Sequence, residues 1–417
     1  MVLLLPFALA RFFWKNRNNQ DALQRWRERL GLVKFEADGS RLIWIHAVSV
    51  GESNVAQPLI DRILANYPDT RVLVSTTTAT GASTVQARHG TEVTHMYFPF
   101  DIKTCVASCF DRVRPKVIIL IETELWPNFL AVAEERSVPV VLINARLSEK
   151  AAARYGRIPQ LMGQMLRRLR LIAAQSTDDA GRFVALGADR ENVFVTGSMK
   201  FDRELVPSTL ERGEAIRREL GMSRFVLMAG STRDGEETQL LEQLPVLLKQ
   251  IPNFLLVIAP RHPERFDAVA EILDSQGISY QRYQHGRSVE STTSVFLLDV
   301  MGELPSYYAA ADLAFVGGSL KPLGGQNTLE PAGLGVPILV GPHTYNFASV
   351  NSKLAEAGAL LVAENAEHMT ALTIELSSDS NRRDHMGLSG KRVFKENRGA
   401  LKYVETLLDP YLVSTKP

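Results

Sequence analysis

Glu52 closes the stretch His46-Ala47-Val48-Ser49-Val50-Gly51-Glu52, where an apolar run turns into a helix-like segment. A helix dipole favours the ionised form of a carboxylate at its N-terminus. An ionised carboxylate facing a cleft can take a proton from a hydroxyl. The same placement has a plain structural explanation, that Glu52 only complements the helix end. Glu122 and Glu124 follow a second apolar run, in Glu122-Thr123-Glu124-Leu125-Trp126-Pro127-Asn128. Trp126-Pro127 fits a helix start with Pro in the first turn. Asn144-Ala145-Arg146-Leu147-Ser148 and Gly197-Ser198-Met199-Lys200-Phe201-Asp202 end two further runs. Polar groups at so many run ends exceed what packing requires, and loops at one sheet edge are where sites are built.

The second half of the chain offers groups suited to an anion. Arg261 lies in Ala259-Pro260-Arg261-His262-Pro263-Glu264-Arg265-Phe266, and a guanidinium matches phosphate oxygens in a fork. Met301-Gly302-Glu303-Leu304 begins a helix and offers backbone N–H groups. The densest pattern spans 315–347. There Gly317-Gly318-Ser319 ends one apolar run, Gly324-Gly325 leads into Gln326-Asn327-Thr328-Leu329-Glu330, and another run ends in Gly341-Pro342. Glycines let backbone approach a ligand closely, and a helix N-terminus offers unpaired N–H groups to a phosphate. Asn327 and Glu330 also read as a capping box, with Asn327 as N-cap and Glu330 three residues on. An ordinary connection needs one glycine and one cap, so this density predicts a sugar-nucleotide site.

The elements that must position these residues are regular. Apolar runs at 42–48, 71–76, 93–98, 116–121, 138–143, 170–174 and 192–196 alternate with helix-length amphipathic segments. A second series follows at 225–229, 254–259, 278–281, 295–298, 312–316, 336–340 and 359–362. Strands alternating with helices predict parallel sheets covered on both faces. The expected fold is α/β with two Rossmann-like halves and a cleft between them. The charged, helix-like stretch 203–223 reads as the linker, and 391–412 as one long amphipathic helix. The implied domains are a membrane-associated segment 1–20, a first domain 21–205 and a second domain 206–417 that includes the final helix. Neither G-x-x-x-x-G-K-[ST] nor G-x-G-x-x-G follows the first strand, which removes the best support for an ATPase or a dinucleotide dehydrogenase.

The 417 residues exceed one ordinary domain, and 45% hydrophobic with 22% charged content is that of a folded globular protein. A net charge of +1 does not suit a nucleic-acid binder, so no nucleic-acid partner is expected. Cys105 and Cys109, the two cysteines, form no disulfide framework or zinc site and read as buried thiols one helical turn apart. The start, MVLLLPFALARFFW, is apolar but short beside the roughly 20 residues of a spanning helix, and is followed by Lys15 and Arg17. Apolar, then basic and aromatic, it suits a segment lying in or dipping into a membrane with anionic headgroups, the other reading being a helix that caps the globular body. A basic stretch from Lys150 to Arg170 has apolar residues at helical spacing. It reads as an amphipathic helix, or as a surface for anionic lipid or a phosphorylated acceptor.

The motifs HAVSVGE, IETELWPN, NARLS, GSMKFD, APRHPERF, MGEL and GGQNTLEP followed by GPHTYNF stand in order from Ile45 to Phe347. As a set, they resemble the 3-deoxy-D-manno-octulosonic acid (Kdo) transferase family of lipopolysaccharide synthesis. The resemblance implies a GT-B fold and inverting, metal-independent transfer of Kdo from CMP-Kdo to a lipid A precursor, with no cofactor. It implies location on the cytoplasmic side of an inner membrane. It makes Glu52 the general base and gives Glu122 and Lys200 a part in stabilising the transition state. Pro260, Arg261, Met301, Gly302, Glu303, Asn327, Thr328, Leu329 and Glu330 would hold CMP, with Glu330 on the ribose hydroxyls. The chain departs from the family in its shorter apolar start and in Thr328, where relatives often have Pro. Two other readings are a nucleotide-sugar epimerase of the same fold and a non-catalytic binder that closes on its ligand.

Overall fold

The computed structural model describes residues 23–35, 40–202, 207–286 and 288–413. They form two compact α/β units, one comprising Met1–Arg203 with Arg398–Pro417 and the other Glu204–Asn397. The proposed membrane segment 1–20 lies outside the described residues. Among the described residues, no helix is long and apolar enough to cross a membrane.

The first unit is built on a seven-stranded parallel sheet in the order β3-β2-β1-β4-β5-β6-β7. Its strands are β1 (Arg41–His46), β2 (Thr70–Thr76), β3 (Thr94–Tyr97), β4 (Val117–Ile121), β5 (Val140–Ala145), β6 (Leu169–Ala174) and β7 (Val193–Val195). All of β4, Val-Ile-Ile-Leu-Ile, is buried, as expected of a parallel strand covered on both faces. Alternation sends Leu42, Trp44, Ile118, Leu120 and Leu142 into one core. Ile43, Ile45, Val117, Ile119 and Ile143 go into the other. Several strand-to-helix turns end on a hydroxyl N-cap: Ser49, Thr78, Ser148 and Ser176 each accept from a backbone N–H of the following first turn.

The second unit has a seven-stranded parallel sheet in the order β10-β11-β9-β8-β12-β13-β14. The strands are β8 (Phe225–Thr232), β9 (Phe254–Pro260), β10 (Tyr280–Arg282), β11 (Val295–Leu297), β12 (Leu313–Val316), β13 (Ile338–Val340) and β14 (Leu360–Val362). Strand order reverses between β1 and β4 in the first sheet, and between β8 and β12 in the second. Such switch points leave a crevice at the carboxyl ends of the strands, where ligands bind.

Four sequence expectations change. The segment 203–223 is not simply a linker: helix Pro207–Leu220 belongs to the second unit, where Ile216 and Leu220 are buried and Arg217 pairs with Asp312 at 2.8 Å. The expected single terminal helix is two, Ser380–Glu396 and Ala400–Leu412, broken at Gly399 with φ 105°. The second of these belongs to the first unit rather than to the domain it follows. Its Leu401, Val404, Leu408 and Leu412 enter the first unit's core beside helix Val50–Asn66. The basic stretch is likewise two helices, Glu149–Tyr155 and Pro159–Arg167, parted at Gly156 to Ile158. Met162, Met165 and Leu166 are buried there, while Ile158 and Leu161 are exposed. Cys105 and Cys109 are buried free thiols on helix Lys103–Val113, as expected.

Candidate active site

In the first unit, Ser49 caps helix Val50–Asn66 and Glu52 turns back over that cap. Val48 N donates to Glu52 Oε2 at 2.6 Å, and Ser49 Oγ donates to Oε1 at 3.2 Å. The sequence suggested a carboxylate kept ionised by the helix dipole. Burial wins instead: desolvation pushes the Glu52 carboxyl up to about 8, the charges of Glu124 and Glu122 add to it, and the two donors oppose it. Glu124 is also raised by burial and by Glu122, against a 3.0 Å hydrogen bond from Trp126 Nε1. Glu52, Glu122 and Glu124 thus form one acidic cluster at the β1/β4 switch point.

Glu122 sits directly after β4 in the left-handed region, at φ 63°. Non-glycine residues adopt this conformation uncommonly, and it turns the side chain away from the strand direction. Lys200 Nζ lies 3.1 Å from Glu122 Oε1, and both side chains are mostly buried. Of the three residues expected to act together, the structure therefore pairs Glu122 with Lys200 and places Glu52 within electrostatic reach of Glu122. His46, from the same motif as Glu52, is a core histidine. It stacks on Phe98 and contacts Ser75 through Nδ1, and burial holds its pKa down to about 3.

In the second unit, the predicted binding residues lie in segments that follow β9, β11 and β12. Pro260 ends β9, and Arg261 N donates to Thr232 O at 3.0 Å, which fixes the root of the arginine beside β8. Burial, then the charges of Arg233 and Arg261, lower the pKa of His262, so two guanidinium groups lie at this edge near an imidazole held toward its neutral form. Met301 is exposed and Gly302 has φ 96°. Glu303 is the N-cap of helix Leu304–Ala309 without a side-chain cap bond, and pairs with Arg212 at 3.6 Å.

The capping box at Asn327 is shifted by one residue. Helix Leu329–Leu334 has Thr328 as its N-cap. Asn327 accepts from Leu329 N at 3.1 Å and donates through Nδ2 to Glu330 Oε1 at 3.0 Å. Thr328 is buried and donates to Asn351. The Gly317-Gly318-Ser319 turn crosses β8 at close range. A Cβ at Gly317 would stand 2.7 Å from Ser231 O, so only glycine fits.

Three residues hold these loops in ways that sequence reasoning did not assign. Glu236, fully buried, accepts from Arg233 N and Gly318 N on one oxygen and from Ser319 N and Leu320 N on the other, at 2.6–2.9 Å. Asp101 caps helix Pro127–Glu135 by accepting from Asn128 N and Phe129 N. Asn144 is completely buried and accepts from Met199 N at 3.0 Å. Their particular roles are hidden in the sequence because most of the partners are distant along the chain. Among the described residues, no group of three or more His, Cys, Asp or Glu is placed to hold a metal ion.

Two parallel-sheet units with polar clusters at both switch points define a protein of the doubly wound, two-unit α/β class. A solved UDP-GlcNAc 2-epimerase from Neisseria meningitidis, bound to UDP-GlcNAc, has this fold, with a TM-score of 0.57 over 88% of this chain and 100% of that one. At 15% identity the likeness shows the fold alone. The family model of 3-deoxy-D-manno-octulosonic-acid transferase matches residues 24–203. A 3-deoxy-D-manno-octulosonic acid transferase of Haemophilus influenzae is 38% identical over 93% of this chain and 92% of its own length. One of Bordetella pertussis is 33% identical over 96% of each. The chain belongs to the 3-deoxy-D-manno-octulosonic acid transferase family, glycosyltransferases of lipopolysaccharide synthesis.

Proposed function

We propose that this protein moves Kdo from CMP-Kdo to the lipid A precursor lipid IVA, with inversion at the anomeric carbon and without a bound metal. The 38% identity over nearly the whole of a curated Kdo transferase supports this reading most. The chemistry of the first unit agrees with it. Glu52 takes the proton of the acceptor hydroxyl as that oxygen attacks the anomeric carbon. The bond from that carbon to the CMP phosphate breaks, and its electron pair leaves with CMP. A carboxyl pushed up to about 8 is a stronger base, once ionised, than a solvated one. Val48 N–H and Ser49 Oγ orient it.

Glu122 and Lys200 stabilise the transition state as a pair. In the second unit, Arg261 meets the CMP phosphate, where charge develops as the bond breaks. Pro260, Met301 to Glu303 and Asn327 to Glu330 hold the nucleoside, with Glu330 on the ribose. Residues 1–20, apolar and then basic, keep the enzyme at the cytoplasmic face of the inner membrane, beside its lipid acceptor.

The test is transfer from CMP-Kdo to a tetra-acylated lipid A precursor, followed by mass spectrometry of the lipid, with wild type beside Glu52→Gln. Wild type is expected to add Kdo. Glu52→Gln is expected to bind CMP equally well and to lose at least about 10²-fold in rate, the scale of a missing general base. Tight CMP binding by a wild-type protein that makes no Kdo-lipid overturns the reading and favours an epimerase or a binder.

A further inference from the structure

We propose that Asn144 is a positioning residue that sets the Lys200–Glu122 pair for the transfer step. The inference rests on the reading above, in which that pair acts in the transition state.

Asn144 lies near the end of β5, in the left-handed region at φ 49°. The β5–β6 register shifts between Leu142 and Ala145, so the strand is irregular where Asn144 sits. Asparagine tolerates this φ better than other residues with a Cβ, apart from aspartate. The side chain is 0% exposed. Its Oδ1 accepts from Met199 N at 3.0 Å, and its carbonyl accepts from Gln175 Nε2 at 2.8 Å. Nδ2 has no hydrogen-bond partner. The side chain therefore works as an acceptor, and its one target is the residue before Lys200.

The other half of the pair is fixed from the same place. Glu122 N donates to the carbonyl of Ile143, the residue before Asn144, at 3.0 Å. Glu122 itself is held at φ 63°. Lys200 follows Met199 in the single turn Met199–Phe201, which starts from Ser198. The strand end at Ile143 and Asn144 thus ties down the backbone of both Glu122 and Met199, and the two charged groups meet at 3.1 Å. A short ion pair between side chains from separate loops needs such a shared anchor, because a displacement of about 1 Å at a catalytic group costs up to about 10²-fold in rate.

The test is a double-mutant cycle of Asn144→Gly with Lys200→Met, read as kcat and as KM for CMP-Kdo. Glycine removes the acceptor and suits the positive φ. Asn144→Gly is expected to lower kcat by about 10-fold to 10²-fold, with KM for CMP-Kdo within about twofold. In the Lys200→Met background, it is expected to lower kcat no further. A loss by the same factor in both backgrounds overturns the positioning role, because a purely structural defect adds. A Lys200→Met enzyme with unchanged kcat overturns the prior reading of the pair instead. Asn144→Asp keeps the acceptor and guards against loss of the fold. It is expected to leave the Met199 amide protected from hydrogen exchange and to stay closer to wild-type kcat than Asn144→Gly does. A folded Asn144→Asp protein with an exchanging Met199 amide would also overturn the proposal.

Discussion

At the scale of a residue, the deciding quantity is the proton on Glu52. Its ordinary value is 4.5, and burial beside Glu124 and Glu122 raises it to about 8. The neutral form therefore suits the fold better. The stability gained by that preference is present in full below about pH 4.5 and is lost as pH rises through about 8. Activity runs the other way, since the base must be ionised. The kcat/KM for transfer is expected to climb about tenfold per pH unit below an apparent pKa near 8, then level off. That limb is expected to vanish in whatever activity Glu52→Gln retains. A limb at pH 4–5 would show that Glu52 is solvated in the free enzyme. The motif around Glu52 was legible in the sequence, but its protonation was not. The helix end is adjacent in sequence, whereas the groups that desolvate and crowd the carboxyl arrive from β4 and its loop.

At the scale of an element, the loops after β8 and β12 depend on one carboxylate. Glu236 gathers N–H groups from Arg233 in its own loop and from Gly318, Ser319 and Leu320, which lie 82 to 84 residues later. This joins the loops on both sides of the switch point, beside the guanidinium groups of Arg233 and Arg261. Glu236→Gln would set an amide NH2 against these donors and leave buried N–H groups unpaired. It is expected to cost about 2–6 kcal/mol, taking about 1–3 for each of the two unsatisfied groups. CMP affinity is expected to fall at least about tenfold, because about 1.4 kcal/mol of lost loop order already gives that factor. Thermal unfolding with and without CMP, alongside calorimetric titration, measures both. Unchanged affinity would show that CMP does not need this turn. Glu236 follows Gly235 at a helix start and resembles any first-turn acid, so nothing local marks it as the centre of the loop.

At the scale of the whole molecule, the chain returns to its first unit at the end. The last helix, Ala400–Leu412, buries Leu401, Val404, Leu408 and Leu412 in the core shared by β1, β2, β4 and helix Val50–Asn66. Asp202 ties the beginning of this return, accepting from Gly399 N and Leu401 N. Each fully buried leucine or valine contributes about 1.5–3 kcal/mol, so the helix face contributes roughly 6–12 kcal/mol, as much as the net stability of a typical domain. A chain ending at residue 397 is therefore expected to lose the cooperative unfolding transition of the first unit, and with it transfer. Calorimetry is the check, and an unchanged transition would mean that the first sheet folds without this helix.

The sequence by itself determined the alternation of strand and helix, the two sheets, and the order of the motifs at their carboxyl edges. Burial on both faces of a parallel sheet writes itself as uninterrupted apolar runs such as Val117–Ile121, and each run must end in a polar turn. Local chemistry also placed the caps at Ser49 and Thr78. The tertiary structure alone decided which turns meet. It set Lys200 against Glu122, Asn144 against Met199, and Glu236 against the turn at Gly318, and it moved the last helix to the first unit. The physical reason is range. Hydrophobic periodicity and capping act within a few residues, whereas desolvation, ion pairing and the satisfaction of buried N–H groups depend on atoms that only the folded chain brings together.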